Sequence, residues 1–126
     1  MFDLSKPLSS LYLIYGEEDL LRFEALDALR QGANEQQFSM REALYVDNKT
    51  DWSEILSAVE SQGLFSDKKL LEIHIPTGKP GVAGGNALIE LTHQLNEDTT
   101  VVIFLPKLEK AQTQAKWFAT VKKASQ

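Results

Sequence analysis

The chain of 126 residues contains no cysteine and only two histidines. Disulfides, thiolate metal ligands and thiol nucleophiles are therefore excluded, and His74 and His93 are too far apart in sequence to predict a metal cluster. No apolar run approaches the ~20 residues that cross a bilayer, and no basic-then-apolar signal segment opens the chain. These absences predict a cytoplasmic globular protein with no membrane partner.

Positive charge is also scarce, since the chain carries 13 Lys/Arg against 18 Asp/Glu, a net charge of −5. Residues 1–66 hold 5 Lys/Arg against 12 Asp/Glu, a balance of −7, and residues 67–126 hold 8 against 6, a balance of +2. The acidic total argues against a broad phosphate-binding surface. The lysines of the second half leave direct contact with DNA open as a weaker hypothesis.

Apolar runs alternate with helical periodicity along the chain and predict the fold class. The predicted strands cover residues 11–15, 43–46, 70–75 and 101–105. Four helices are predicted as well: the first opens at 17–19, the second spans 51–60, the third follows a cap at Asn86, and the last spans 112–123. This alternation predicts an α/β fold: a mostly parallel sheet of four strands with helices on both faces, the strand at 101–105 being central. We expect residues 1–126 to form a single domain of a longer protein, because the alternation favours another strand after the last helix.

Three local features refine this prediction. The inner face of the first helix is assigned to Leu21, Ala25, Ala28 and Leu29, and its end to Gly32 or Asn34. The Gly- and Pro-rich residues 76–85 predict a mobile loop. Glu72 and His74 are two apart in a strand and therefore share one face, where His74 is expected to make a local hydrogen bond.

The junction between the second helix and the third strand has an unusual pattern. Within residues 51–60, apolar side chains at Trp52, Ile55, Leu56 and Val59 indicate a helix with one buried face. Gly63 is suited to end that helix, which places Leu64 and Phe65 on a corner. Two interpretations remain open: Leu64 folds back on Val59, or the pair projects as an anchor for a partner protein.

Motifs for nucleotide chemistry are missing from the positions where an α/β sheet would carry them. A phosphate loop needs G-x-x-x-x-G-K-[ST], yet the first strand is followed by Gly16, Glu17, Glu18 and Asp19, which repel a triphosphate. No acidic residue ends the strand at 101–105. The acidic triplet with Lys107 is compatible with a phospho-receiver magnesium site, but no aspartate nucleophile ends the third strand. We therefore predict no catalytic residue, cofactor or metal.

The chain resembles the N-terminal domain of the delta subunit of bacterial DNA polymerase III, part of the sliding-clamp loader. The resemblance covers essentially all 126 residues. It is carried by Leu11-Tyr12-Leu13-Ile14-Tyr15-Gly16 with the following acidic residue and paired leucines, Thr50-Asp51-Trp52, Gly63-Leu64-Phe65-Ser66, Leu108-Glu109-Lys110-Ala111-Gln112 and Trp117-Phe118.

This resemblance implies a degenerate AAA+ (RecA-like) core that lacks its last strand and has no intrinsic enzymatic activity. It further implies that Leu64 and Phe65 enter a pocket of the sliding clamp, the beta subunit, with Ser61, Gln62 and Gly63 as flanking contacts. The implied function is to bind the clamp and help open it, together with other loader subunits that hold the ATPase activity, and to meet DNA through the assembled complex. The alternative is a nucleotide- or phosphate-binding α/β enzyme domain.

Overall fold

Four parallel strands and five helices make up the part of the chain that the computed structural model describes, residues 7–60 and 68–125. In chain order they are β1 (Leu11–Ile14), α1 (Asp19–Glu35), β2 (Met40–Tyr45), α2 (Trp52–Glu60), β3 (Lys69–His74), α3 (Gly81–Leu91), β4 (Thr99–Phe104), α4 (Lys110–Thr113) and α5 (Lys116–Ala124). The strands form one sheet in the order β1-β4-β3-β2, with every pairing parallel. The predicted α/β class is confirmed.

The two inner strands carry the centre of the protein. Ile103 of β4 aligns with Leu13 of β1 on one side and with Ile73 of β3 on the other. Every residue of β3 and β4 is buried. A strand covered on both faces needs apolar side chains in both directions, which explains the unbroken apolar run that predicted a central β4.

Helices cover both faces of the sheet, as predicted, but unequally. On one face α1 packs alone, through Leu26, Leu29 and Ala33. On the other face α2, α3 and α5 share a larger core, to which they contribute Ile55, Val59, Leu88, Leu91, Trp117, Phe118 and Val121. Trp52 and Leu56 pack against that core as partly buried residues, so the predicted stripe on α2 is confirmed.

Strand β2 lies at the edge of the sheet and starts earlier than predicted, at Met40 instead of residue 43. Its side chains are exposed except for the half-buried Leu44. An edge strand with few buried side chains does not need an apolar run. The polar residues Arg41 and Glu42 therefore gave no sign that the strand starts at Met40.

The inner face of α1 was predicted correctly at Leu29, which is buried, and at Ala25, which packs against the core, but wrongly at Leu21, and the end of the helix was predicted wrongly. Leu21 is 58% exposed, whereas Leu26, Gly32 and Ala33 are buried. The helix runs to Glu35, so neither Gly32 nor Asn34 ends it. Gly32 is instead a buried residue inside the helix.

The predicted loop over residues 76–85 is helical in its second half, because α3 begins at Gly81 and contains Asn86 in its interior. Two of its glycines, Gly84 and Gly85, allow close packing. A Cβ on Gly84 would lie 2.6 Å from Cζ2 of Trp52, and a Cβ on Gly85 would lie 3.3 Å from Cδ1 of Trp117. The same composition that indicates a loop therefore allows a helix to approach two tryptophans.

The predicted last helix, 112–123, is divided into α4 and α5. The break falls at Ala115, whose backbone is extended at φ −74° and ψ 150°. Across the break, Nε1 of Trp117 donates a hydrogen bond to Oε1 of Gln112 at 3.1 Å. This bond satisfies the buried indole N–H and fixes the angle between the helices.

Candidate functional site

The predicted clamp anchor, Leu64 and Phe65 with the flanking Ser61, Gln62 and Gly63, lies outside the described residues. Its two flanks are described. Helix α2 ends at Glu60 and β3 begins at Lys69, so the segment 61–67 connects the C-terminus of a helix to the amino end of a buried central strand.

The side chain of Lys69 links the start of β3 to the end of α2 by a hydrogen bond. Its Nζ donates a hydrogen bond of 2.6 Å to the carbonyl oxygen of Ala58, near the end of α2. Lys69 is only 7% exposed, which is unusual for a lysine. A helix C-terminus carries partial negative charge and unsatisfied carbonyls, so a buried cation there is stabilised by both.

The turn before β4 provides a second tie. Nδ2 of Asn96 donates to the carbonyl oxygen of Val59 at 3.2 Å, and the backbone N–H of Lys69 donates to the carbonyl oxygen of Asp98 at 2.8 Å. Both ends of the 61–67 segment are thus held by the 96–98 turn. Sequence reasoning missed Lys69 and Asn96, because no local pattern reveals contacts across 11 and 37 positions.

The carboxyl ends of the strands, at the opposite edge of the sheet, are where ligands bind in this fold class. At the turn after β1, Lys107 Nζ lies 2.8 Å from Oε1 of Glu17. The hydrogen bond from Lys107 is the main cause that lowers the pKa of Glu17 and raises that of Lys107. The structure therefore brings Lys107 to the acidic triplet, as the receiver hypothesis requires.

That hypothesis fails at the strand ends, since β3 ends at His74 and β4 at Phe104, neither of which is an aspartate nucleophile. The nearest further cation, Arg22, is also occupied. It pairs with Asp19 and donates from Nη1 to the carbonyl oxygen of Leu105 at 3.1 Å. The cations at this edge are thus engaged by acceptors of the chain itself.

Beneath this edge, on the face covered by α1, lies a buried ionic cluster of Glu72, Arg30 and His74. Arg30 donates from Nε and Nη2 to the two carboxylate oxygens of Glu72, each at 2.7 Å, and Nε2 of His74 lies 2.9 Å from Oε1. The shared face of Glu72 and His74 and the local hydrogen bond of His74 are confirmed.

Glu72 is fully buried, yet its carboxylate is held in the charged form. Burial raises its pKa, but the hydrogen bonds from Arg30 and His74 outweigh burial and lower it from 4.5 to about 2. A carboxylate with so low a pKa is a poor general base near neutral pH. We assign the cluster a structural role.

Aromatic rings surround the cluster and line a cleft of about 580 Å³. Tyr45 stacks on His74 with ring centroids 4.5 Å apart, and Phe104 lies 5.0 Å from His74 on its other side. Within residues 7–60 and 68–125, no three potential metal ligands come together, and no helix there has the length and apolar character of a membrane span.

A fold comparison defines the class of protein. A crystal structure from Thermotoga maritima, of a DNA polymerase III, gamma subunit-related protein, matches 98% of this chain and 41% of that chain, with a TM-score of 0.59 and 15% sequence identity. Identity this low shows the fold alone. The chain is an α/β domain that shares its fold with this gamma subunit-related protein.

Sequence comparison then gives the family. The family model described as DNA polymerase III, delta subunit matches residues 12–126. DNA polymerase III subunit delta of Escherichia coli (strain K12) is 34% identical over 118 residues, covering 94% of this chain and 34% of that protein, and its Haemophilus influenzae counterpart is 32% identical with the same coverage. The chain belongs to the DNA polymerase III delta subunit family. It spans about a third of the length of these relatives.

Proposed function

We propose that this chain is a non-catalytic, clamp-binding domain of a clamp-loader subunit in DNA replication. In this proposal Leu64 and Phe65 enter an apolar pocket of the sliding clamp, and Ser61, Gln62 and Gly63 contact its rim. Binding by the domain helps to open the ring. The ATPase activity belongs to partner subunits of the loader, and DNA is met through the assembled complex.

The observation that carries the proposal is the tethering of both flanks of the 61–67 segment. Lys69 holds the end of α2 through the carbonyl of Ala58, and Asn96 holds it through the carbonyl of Val59. A binding segment that is fixed at both ends loses less conformational entropy when it docks. Family membership supports the assignment of this segment to the clamp.

The carboxyl edge of the sheet supports a role without nucleotide. Glu17, Glu18 and Asp19 follow β1, and Lys107 and Arg22 are already paired with two of these carboxylates. A triphosphate placed here would be repelled by these carboxylates, because the neighbouring cations Lys107 and Arg22 are already paired and do not offset the repulsion. We expect calorimetry with ATP and Mg²⁺ to give no binding signal, and micromolar affinity would instead favour the nucleotide-binding alternative.

The direct test measures binding to an immobilised sliding clamp before and after the double substitution Leu64→Ala, Phe65→Ala. Burying two such side chains contributes roughly 1.5 to 3 kcal/mol each, so we expect affinity to fall by at least about 100-fold. Phe65→Ala alone is expected to cost more affinity than Leu64→Ala alone, because in this proposal Leu64 folds back in part on Val59 while Phe65 projects towards the clamp.

A matched control is Val82→Ala, which shortens another apolar side chain that is 85% exposed. We expect this variant to bind the clamp as the parent chain does. Equal affinity of the double variant and the parent chain would rule out the anchor.

A further inference from the structure

Strand β2 ends the sheet on one side, and within residues 7–60 and 68–125 no strand pairs with its outer edge. The N–H of Met40 donates to the carbonyl oxygen of Lys68 at 3.2 Å, and that of Val46 to His74 at 2.8 Å, so the even-numbered residues of β2 face β3. Backbone groups of successive residues in a strand point to opposite sides. The residues whose N–H and C=O groups point outwards are therefore Arg41, Ala43 and Tyr45.

A groove of about 960 Å³ runs beside this edge, between β2 and α2. The even-numbered side chains of β2 lie on the groove side, since Leu44 packs against the same core as Ile55 of α2. A strand added to the edge would lie about 4.8 Å from β2 and would place every second side chain over the groove, next to Glu42 and Leu44. Backbone pairing and a groove for alternate side chains are the two components of recognition by strand addition.

The groove is predominantly acidic. Its carboxylates are Glu42, Asp47, Asp51 and Glu54, and its cations are Lys49 and Lys69. Nζ of Lys69 already donates to the carbonyl oxygen of Ala58. Glu42 and Glu54 are exposed and make no ion pair with any residue that the structure describes. Lys or Arg side chains over the groove would therefore meet unpaired carboxylates, with their apolar stems against Leu44 and Ile55.

The other face of β2 favours apolar side chains. Tyr45 stacks on His74 there, and its side chain is 66% exposed. Ala43 is two positions away on the same face, and its small side chain leaves room for a larger neighbour on an added strand. Arg41 also lies on this face and disfavours a second cation. The edge thus fits an extended segment in which basic and apolar residues alternate.

Charge decides between possible occupants of the edge. Nucleic acid and anionic membrane surfaces present negative charge, which the groove repels. A second copy of the chain, paired through β2 about a two-fold axis, would place two acidic grooves side by side. A basic segment of a different protein complements the groove and uses the free backbone groups as well.

We infer that the outer edge of β2 binds an extended segment of another protein, with alternating basic and apolar residues, as an additional strand of the sheet. The clamp anchor proposed above lies between α2 and β3 and is not part of this edge. The domain then has a second site for a partner, which recognises backbone and charge.

The test measures binding of a short, fluorescently labelled peptide of alternating lysine and valine to the full-length subunit. Ala43→Pro removes an outward N–H but none of the donors that β2 directs to β3, and proline is tolerated at such edge positions. We expect the variant to weaken peptide binding about 10-fold or more. The matched control, Ala43→Val, enlarges the side chain but keeps the N–H, and is expected to bind as the parent chain does.

Methylation of the peptide backbone gives a second measurement that needs no variant. One peptide carries N-methyl groups on the backbone nitrogens of its lysines, and another on those of its valines. Because a strand directs alternate N–H groups to opposite edges, only one of the two peptides keeps the donors that face β2. We expect one to lose binding and the other to retain it. Equal affinities would reduce recognition to charge and contradict strand addition.

A third measurement addresses the charge of the groove. Combining Glu42→Lys with Glu54→Lys is expected to weaken peptide binding about 10-fold at low salt and less at high salt, because exposed charges are screened. Glu24→Lys combined with Glu90→Lys makes the same change in net charge at exposed positions of α1 and α3, outside the groove. Equal losses from the two pairs would contradict recognition by the groove.

The remaining outcomes also contradict the inference. Failure of the full-length subunit to bind the unmethylated peptide would show that the edge is closed or does not accept a strand. Displacement of the peptide by the sliding clamp, or loss of clamp binding in Ala43→Pro, would assign the edge to the clamp. Clamp binding by Leu64 and Phe65 is measured separately, so failure of this inference is distinguishable from failure of the proposed function.

Discussion

Replacing Glu72 by glutamine tests how the buried ionic cluster stabilises the domain. The variant keeps the shape of the side chain but removes the charge that Arg30 contacts through two hydrogen bonds of 2.7 Å. Lowering the pKa of Glu72 from 4.5 to about 2 corresponds to roughly 3 kcal/mol of stability near neutral pH. Breaking a buried ion pair from one side costs about 3 to 5 kcal/mol.

We expect Glu72→Gln to lower the free energy of unfolding by about 3 kcal/mol, the lower of these values. The side chain of Arg30 is 31% exposed and reaches water when its partner is lost. In a domain of this size the loss corresponds to a decrease in Tm of roughly 10 °C. Urea unfolding followed by far-UV circular dichroism at pH 7 provides the free energy directly.

The pH dependence gives the sharper test. The pKa of Glu72 is lower in the folded state than in the unfolded state, so its contribution is complete well above pH 4.5 and disappears as pH falls towards about 2. Linkage predicts that the difference between parent and variant shrinks to about 1.4 kcal/mol near pH 3. Glu24→Gln, which neutralises an exposed carboxylate on α1, the helix that carries Arg30, is the control and should show no such trend.

A difference between parent and Glu72→Gln that stays constant from pH 7 to pH 3 would refute this account, because it would place the cost in packing and not in charge. The double variant with Arg30→Met adds an independent check. Once Arg30 is absent, Glu72→Gln should cost much less or even stabilise the domain, since the glutamate charge then lacks its main partner.

Two further predictions follow from close contacts. Gly84→Ala should destabilise the domain by roughly 1 to 3 kcal/mol, because the added Cβ would overlap Trp52. Adding Trp52→Leu to this variant should restore part of the lost stability, as measured by urea unfolding, and no restoration would contradict the overlap. Lys69→Met should cost about 1 kcal/mol, since it loses the bond to the carbonyl of Ala58 but no longer buries a charge. Leu88→Ala should cost more stability, about 2 to 5 kcal/mol, because Leu88 is fully buried. At a temperature where both variants are folded, Lys69→Met should nevertheless weaken clamp binding more than Leu88→Ala does, and equal clamp affinities would remove the positioning role of Lys69.

The fold class was predictable because its signals are local. β1 and β4 contain unbroken apolar runs, and in β3 an apolar run is interrupted only by Glu72 and His74, so the pattern located all three strands to within two residues of their ends. The predictions were wrong where contacts distant in sequence determine the local structure. Arg41 lies in a strand that pairs with β3, where it is aligned with Leu70, and Gly84 lies in a helix at a position where a side chain would overlap Trp52.

The candidate site was predictable only in part. Pattern reasoning located the corner at Leu64 and Phe65, and family resemblance suggested its partner; both remain predictions, since these residues lie outside the described part of the chain. The tethers at Lys69 and Asn96 depend on how α2 meets the 96–98 turn in three dimensions. The pairing of Arg30 with Glu72, 42 positions apart, likewise has no counterpart in the local sequence.

The strand order has a consequence for how the chain folds during synthesis. β2 and β3 pair across about thirty positions, from Met40 to Lys69, so the unit that frames the 61–67 segment is complete early. β1 pairs with β4, and Leu11 must wait for Val101, ninety positions later. Because domains form from the N-terminus as they are made, we expect the β2-α2-β3 unit to form first, while β1 remains an unpaired apolar strand until the last third of the domain has been synthesised.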